Sequence, residues 1–343
     1  MPIGVAIIGA GLFVQEEYLP AVQACNLLSL KAVFSRSEAS ATALATKDSI
    51  DTYFDTPATP GRSIDDLLAR ADIQAVIIAI PIVPQFDYIK KAMAAGKHVL
   101  SEKPVANDID KANKLIDYHQ SCGGSALWGV AENYRFLPGT LYAAEQLKKI
   151  GGLVQTFKVN LFLRIPDDDR FLATEWRKNP IHQGGFLLDG GIHFVAGLRD
   201  LLAGAGEYIK EVVAYTSQLD ARTPPFETVH ALLRTDKGAA GTFSQSFMTE
   251  FKGGFEFEVV TQKGAVIFTP MGVEVTTKDA KGEKCTHKVD HPLNHGIKNV
   301  VGTFAKGVRD GKLAEQFSPA EALADLCVLQ AMFESNGHLK TVL

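Results

Sequence analysis

The sequence predicts a chain of two parts, an α/β domain over residues 1–125 and an α+β domain over residues 126–343. Three observations carry this expectation. Apolar, β-branched runs alternate with helical patterns through the first third of the chain, as the strand and helix units of a parallel sheet covered on both faces require. From Val154 onward, longer strand-like runs follow one another across short polar turns such as Asp236-Lys237-Gly238, the pattern of a largely antiparallel sheet. Finally, 343 residues exceed what one hydrophobic core comfortably fills.

Composition excludes several classes. An apolar fraction of 46% and a charged fraction of 22% are those of an ordinary globular protein. Its net charge of −4 gives no reason to expect nucleic acid or an anionic membrane as partner. The longest apolar run, Ala75 to Val83, is interrupted by Pro81 and falls short of the ~20 residues of a membrane helix. Met1-Pro2-Ile3-Gly4 enters a strand-like run directly, without a basic region or cleavage site, so a cytoplasmic location is expected. Cys25, Cys122, Cys285 and Cys327 lie far apart without CxxC pairing and read as reduced thiols.

Taken in order, Ile3 to Ile8 reads as a buried parallel strand ending in Gly9-Ala10-Gly11, with Leu12 and Phe13 opening a helix. A strand, a glycine turn and a helix make an anion site, because glycines let a pyrophosphate approach backbone N–H groups at a positive helix end. By itself a glycine turn is a weak signal, but its place directly after the first strand suits a Rossmann-type dinucleotide turn. Its third glycine should fall at position 14, where Val14 stands, so the helix is expected slightly farther from its strand.

Leu28 to Phe34 makes a second strand, whose end should meet the adenosine ribose. An NAD site presents an acid there. Here the residues are Ser35-Arg36-Ser37, and a guanidinium flanked by hydroxyls suits a 2′-phosphate, so NADP is the expected cofactor. Glu38, if turned inward, would admit NAD. Glu38 to Lys47 and Ser63 to Arg70 read as helices, the second capped by Ser63, with Thr56 to Gly61 a loop between them. Ala75 to Ile80 is an apolar strand stopping at Pro81, which puts Ile80 and Pro81 beside the cofactor. A helix over Gln85 to Ala95 leads to Val99-Leu100, a short strand after which Ser101-Glu102-Lys103-Pro104 forms the turn. Ligands of open α/β sheets sit at this carboxyl edge, so Lys103 presents a cation to the expected crevice. The alternative is a solvated surface lysine.

A helix from Ile109 to Gln120 and a turn at Gly123-Gly124 precede a strand at Ala126 to Val130. The strands expected beyond it are Val154 to Leu163, Glu211 to Ser217, Thr228 to Leu233, Gly241 to Phe247 and Phe255 to Thr261. Before most of these, Gly184 to His193 holds Asp189 and His193 four residues apart, on one face of any helix that starts there. A carboxylate beside an imidazole is a general-base arrangement. The competing reading makes Asp189 a helix cap with His193 packed nearby.

These segments together resemble the Gfo/Idh/MocA oxidoreductase family. The resemblance rests on Gly9 and Gly11, on Gly96-Lys97-His98-Val99-Leu100-Ser101-Glu102-Lys103-Pro104, on Asn133-Tyr134-Arg135-Phe136, on Gly185 through His193, and on a closing helix at Ser318 to Asp325. It implies a hydride transfer between NADP, or NAD, and a sugar, polyol or related hydroxy or keto compound. It further implies that Lys103 lies near the nicotinamide and the reacting oxygen, that His193 exchanges the proton, and that Asp189 binds substrate and tunes His193. Glu102, Asn133, Trp176 and Arg177 are expected at the cofactor and Tyr134 at the substrate, while Arg135 is either near the site or a pin between the two domains. For Trp176 and Arg177 the plain alternative is a core ring and a surface cation.

Two features depart from the family pattern. Val14 replaces a small residue, and Ile82 with Pro84-Gln85 stands where many members carry Asn and then His after the proline. No metal is expected: Cys285, His287, His291 and His295 have suggestive spacing, but Lys284 to Val289 reads as an exposed strand and Pro292 prevents one helix from presenting the histidines together. The second-domain sheet should leave one face open, which a homodimer or homotetramer would bury. A non-catalytic NAD(P)- or sugar-sensing regulator on the same fold is the alternative function. It would have no need of the proton-transfer pair.

Overall fold

The computed structural model describes residues 1–45, 50–123 and 126–342. Two compact units are present, residues 1–132 with 296–323, and residues 133–295 with 324–343. The single cut expected between residues 125 and 126 differs from this division in two respects: the chain leaves the first unit between residues 132 and 133, and residues 296–323 return to it. Gly124 of the expected turn lies outside the described residues, as do Thr46 and Lys47 of the expected second helix.

In the first unit β1 (Ile3–Ile8), β2 (Leu28–Ser37), β3 (Asp51–Thr56), β4 (Ala75–Ile78), β5 (His98–Glu102) and β6 (Trp128–Ala131) form one parallel sheet in the order β3-β2-β1-β4-β5-β6. The central strands are apolar because helices cover both faces: Val5 to Ile8 and Ala75 to Ile78 have essentially no exposed surface. The crossovers are α1 (Leu19–Ala24), α2 (Glu38–Leu44), α3 (Ile64–Leu68), α4 (Ile82–Ala94) and α5 (Ile109–Ser121). Ser63 opens α3 with a reciprocal capping box to Asp66.

Several boundaries moved, each for a local reason. Strand β2 runs on through Ser35-Arg36-Ser37, and the Ser37 hydroxyl then caps α2 by accepting from the Ser40 N–H. Strand β3 escaped the sequence reading because Asp51 to Thr56 buries only Tyr53 and Phe54 and pairs with β2 alone. Strand β4 ends at Ile78, and α4 starts at Ile82 rather than Gln85, with Pro84 in the first turn, where its missing N–H breaks no helical bond. Strand β5 includes Ser101 and Glu102, which had been expected in the turn.

The second unit contains α6 (Pro138–Ile150), β7 (Val154–Phe162), α7 (Glu175–Lys178), α8 (Ile192–Gly204), β8 (Ile209–Ser217), β9 (Thr228–Thr235), β10 (Ala240–Ser246), β11 (Gly254–Thr261), β12 (Gly264–Thr269), β13 (Gly272–Lys278) and β14 (Lys284–Asp290). With β15 (Lys340–Thr341) these strands make a nine-stranded sheet in the order β14-β13-β12-β11-β7-β10-β9-β8-β15. Its pairings are antiparallel except β7 with β10. Helix α6 and the β12–β13 hairpin had not been anticipated, since α6 opens on Pro138-Gly139 and the hairpin strands are short and bounded by glycine.

One face of this sheet is apolar and packs on α6 and α8, with Phe157, Phe243 and Phe257 among the fully buried residues. The other face is open. Glu258, Lys158, Thr242, Leu232 and Val213 run across it in register, and Leu232 is 61% exposed. Helix α9 (Ile297–Asp310) returns to the first unit because Ile297, Val300, Val301, Phe304 and Ala305 make an apolar stripe, which meets α1. Helix α10 (Pro319–Ser335) is the expected closing helix, longer than Ser318 to Asp325.

Candidate functional site

The sequence-nominated residues fall into two groups, one in each unit. In the first unit they gather at the carboxyl edge of the parallel sheet, where the strand order reverses between β1 and β4. The end of β1 is fixed by the Gly9 N–H donating to the Phe34 carbonyl and by a φ of +123° at Gly9. A Cβ there would lie 2.1 Å from the Ala79 carbonyl oxygen, so no other residue fits. Gly11 differs: a Cβ on it would meet nothing within 4 Å, so packing does not demand a glycine, and the space beside the helix start is left open. Leu12 and Phe13 form the first helical turn.

The helix takes an unexpected form at Val14. Residues Val14–Tyr18 wind as a π-turn, and Val14 is 1% exposed. This turn buries Tyr18 completely, and its hydroxyl donates to Glu102 Oε1 over 2.6 Å. Burial first, and then the Glu102 and Glu132 carboxylates, push the Tyr18 phenol well above its usual range, so it remains a donor. Glu102 Oε2 accepts from the backbone N–H of Lys103 over 3.1 Å. Just upstream, the Trp128 indole N–H donates to the buried Ser101 hydroxyl over 3.1 Å. Lys103 thus leaves β5 from a doubly anchored strand end, followed by a cis bond to Pro104.

At the end of β2 Ser35 and Ser37 are half-buried and Arg36 is exposed. The Arg36 charge reaches the half-buried Tyr88 phenol, opposing the upward push of burial and of Asp55. Tyr88 packs on Phe34, with ring centroids 5.7 Å apart, and had not been singled out from sequence. Ile80 and Pro81 follow β4 as half-buried residues. Where the family pattern fails, Ile82 is buried, and Gln85 has both amide atoms buried without a hydrogen-bond partner among the described residues. The Gln85 side chain therefore turns inward, an uncommon state for an amide.

In the second unit the chain enters a helical run at Gly185, whose φ of +46° and close approach to the Pro224 carbonyl oxygen, 2.0 Å from a would-be Cβ, restrict the position to glycine. Leu187–Gly191 is a second π-turn, continued by α8. Asp189 lies inside this run, so it is not the helix cap of the alternative reading. It is 6% exposed, and its Oδ2 accepts from Arg177 Nε over 2.7 Å. Arg177 sits in α7 with its Cζ 4.1 Å from the Trp176 ring centroid, and it also donates to the Phe171 carbonyl and the Thr174 hydroxyl. Neither a core ring nor a surface cation describes this pair.

His193, one turn after Asp189, is half-buried and stacks on Tyr134, with centroids 5.1 Å apart and ring planes 18° apart. Asn133 donates through Nδ2 to the His295 carbonyl over 2.8 Å. Arg135 grips Asp325 with two bonds of 2.7 and 2.8 Å, and its Nε lies 3.4 Å from Asp200. Both acids belong to the second unit, so these ion pairs of Arg135 do not join the two units. Of the metal-like spacing, Cys285 and His287 lie on the exposed strand β14, and the His291 ring lies 5.1 Å from Tyr142. No group of three or more potential metal ligands converges among the described residues.

Comparison with known proteins decides the family. Residues 3–127 match the model of an oxidoreductase family with an NAD-binding Rossmann fold, and residues 147–267 match the GFO/IDH/MocA C-terminal domain. The chain belongs to the Gfo/Idh/MocA oxidoreductase family. Dehydrogenase FPY6 of Fusarium mangiferae is 41% identical over 99% of both chains. D-xylose 1-dehydrogenase (NADP(+)) 2 of Haloferax volcanii is 27% identical over 96% of each. The crystal structure of an oxidoreductase from Thermotoga maritima superposes with a TM-score of 0.87 at 25% identity, covering 100% of this chain and 99% of that one.

This Gfo/Idh/MocA member is therefore an NAD(P)-dependent oxidoreductase, and its residues fit the dinucleotide the family binds. The open space at Gly11 beside a helix start, at the strand-order switch, leaves room for an anionic group such as a pyrophosphate to approach the backbone. No helix among the described residues is long and apolar enough to cross a membrane. Tyr18, Tyr88 and the Arg177–Asp189 pair were missed at the sequence level. Tyr18 alone left a faint signal, as an aromatic residue closing the polar run Gln15-Glu16-Glu17.

Proposed function

We propose that the protein is an NADP-preferring dehydrogenase or reductase that acts at the hydroxyl or carbonyl carbon of a sugar, polyol or related small compound. Gly9, Gly11, Leu12 and Phe13 hold the pyrophosphate, Arg36 with Ser35 and Ser37 the adenosine 2′-phosphate, and Ile80, Pro81 and Glu102 border the nicotinamide half. Asn133, Trp176 and Arg177 complete the cofactor contacts. When bound, the nicotinamide supplies or accepts the hydride. His193 takes the hydroxyl proton as a carbonyl forms, or returns it in reverse, while the Lys103 ammonium steadies negative charge on the same oxygen. Asp189 and Tyr134 contact the substrate and orient the His193 ring.

The observation that carries this reading is Asp189, a buried carboxylate inside a helix, one turn before His193 and held by Arg177. A buried acid is expensive and is not needed there to cap the helix. The NADP preference is supported by the exposed Arg36 at the end of β2, and a relative at 27% identity is a D-xylose dehydrogenase that carries NADP(+) in its name. The open sheet face with Leu232 and Tyr215, 61% and 65% exposed, supports a homodimer or homotetramer formed through it. Four free cysteines agree with a reducing, cytoplasmic setting.

The test is titration of the purified protein with NADPH and NADH by tryptophan fluorescence, followed by nicotinamide absorbance against a panel of sugars, polyols and their keto forms. Tight NADPH binding with turnover of a panel member is the expected result, with Lys103→Ala keeping the binding and losing the turnover. Binding of neither nucleotide would sink the cofactor assignment. Tight binding without turnover of a broad panel would instead favour a sensor.

A further inference from the structure

We infer that Tyr18 is a positioning residue that couples the cofactor turn to Lys103. The inference rests on the proposed roles of the Gly9–Gly11 turn and of Lys103, and all of its geometry lies within the first unit. The helical run that starts beside Gly11 carries Tyr18 on its π-turn, within two turns of the space left for the pyrophosphate. Tyr18 has no exposed surface, and the Phe13 ring meets it edge-on with centroids 5.8 Å apart. Its hydroxyl reaches Glu102 Oε1 over 2.6 Å, and the other oxygen of that carboxylate receives the Lys103 N–H over 3.1 Å. One carboxylate thus bridges the cofactor helix and the backbone of the lysine.

The bridge has a consequence for chemistry. A short bond from a buried phenol fixes one carboxylate oxygen, and this orients the other toward the Lys103 amide. Without the phenol, Glu102 Oε1 loses its 2.6 Å donor, and the hold of the same carboxylate on the Lys103 amide is loosened. Nucleotide seated against the first helical turn immobilises the same helix that holds Tyr18. Cofactor binding and lysine placement are then one event, and displacement of the ammonium by a fraction of an ångström lowers the rate without weakening nucleotide binding. A buried tyrosine that merely satisfied its own hydroxyl would affect stability alone.

Tyr18→Phe and Glu102→Gln in the full chain test this with two readouts. The first is amide hydrogen exchange over residues 99–106 in nucleotide-free protein. At least tenfold faster exchange at Lys103 in Tyr18→Phe is expected, with the flanking strand unchanged. The second splits kcat from nucleotide affinity in Tyr18→Phe, which touches no proposed cofactor contact, expecting kcat down by about tenfold or more at an NADPH Kd within about threefold of wild type. The double variant should fall no further than the worse single one. Unchanged exchange at Lys103 overturns the proposal whether or not a substrate is turned over, as does an unaltered kcat or a kcat that falls only in step with affinity. If the wild-type protein binds no nucleotide, the cofactor assignment has failed, and the exchange experiment still decides whether Tyr18 anchors Lys103.

Discussion

Arg177 donates through Nε to the Asp189 carboxylate over 2.7 Å while its guanidinium lies 4.1 Å from the Trp176 ring centroid. A short helix and the loop before it are thereby fastened to the helix that carries His193. Arg177→Met removes a charge-assisted bond from a carboxylate whose side chain is 9% exposed, at a cost of about 2 kcal/mol. We expect a lower urea midpoint and a kcat reduced by tenfold or more. Arg177→Lys keeps the charge without the planar fork or the ring stacking, so it should recover stability better than turnover. Wild-type turnover in Arg177→Met would show that Asp189 needs no orienting cation.

Arg36 is exposed at the end of β2, with its charge felt at Tyr88. Contact with a 2′-phosphate is a charge-assisted interaction worth roughly 1.5–3 kcal/mol. Arg36→Ala should therefore weaken NADPH by about ten- to a hundredfold in the fluorescence titration and leave NADH nearly untouched. Equal losses for both nucleotides would remove the 2′-phosphate role and leave Arg36 a general electrostatic contributor.

Arg135 and Asp325 form a two-bond ion pair with 2% and 1% of their side chains exposed, and Arg199 adds a third bond to Asp325 at 2.5 Å. Arg135→Met strands half of a buried pair, costing on the order of 3 kcal/mol less whatever Arg199 takes over. Replacing both partners, Arg135→Met with Asp325→Leu, should restore part of that stability, because an apolar pair needs no desolvation of charge. Equilibrium urea unfolding measures both. A double variant less stable than the single one would mean that Arg199 depends on Asp325 more than Arg135 does.

Much of the fold was legible because its strands are short apolar runs with punctuated ends. Ile3 to Ile8 and Ala75 to Ile78 are buried on both faces, and their composition says so. Strand β3 was illegible because a half-polar edge strand carries no such run. Of the candidate site, the backbone constraint at Gly9 was legible, and so was the placement of Asp189 and His193 on one helical run. Tyr18 and Tyr88 were not, because their roles depend on tertiary neighbours 84 residues away in one case and on the charge of Arg36 in the other. The two π-turns, which carry Tyr18 and Asp189, also have no sequence signature.

His98 gives a pH dependence whose sign follows from its surroundings. At the start of β5 its Nδ1 accepts the Leu127 N–H over 3.0 Å, and burial lowers its pKa from the ordinary value of 6.5. The folded protein thus holds His98 neutral, while the unfolded chain takes up a proton as pH falls through about 6.5. Where the unfolded state binds more protons, stability falls with falling pH, so His98 opposes folding increasingly below about pH 6.5 and has no effect above pH 7.5. The loss levels off once the folded-state imidazole also protonates, which requires giving up the bond to Leu127. His98→Asn keeps an acceptor near the Nδ1 position and cannot titrate. Thermal unfolding of both proteins between pH 7.5 and 5 should show a shallower decline for the variant, with a difference on the order of 1–2 °C at pH 5. Parallel curves across that range would mean that the imidazole remains sufficiently hydrated to titrate alike in both states.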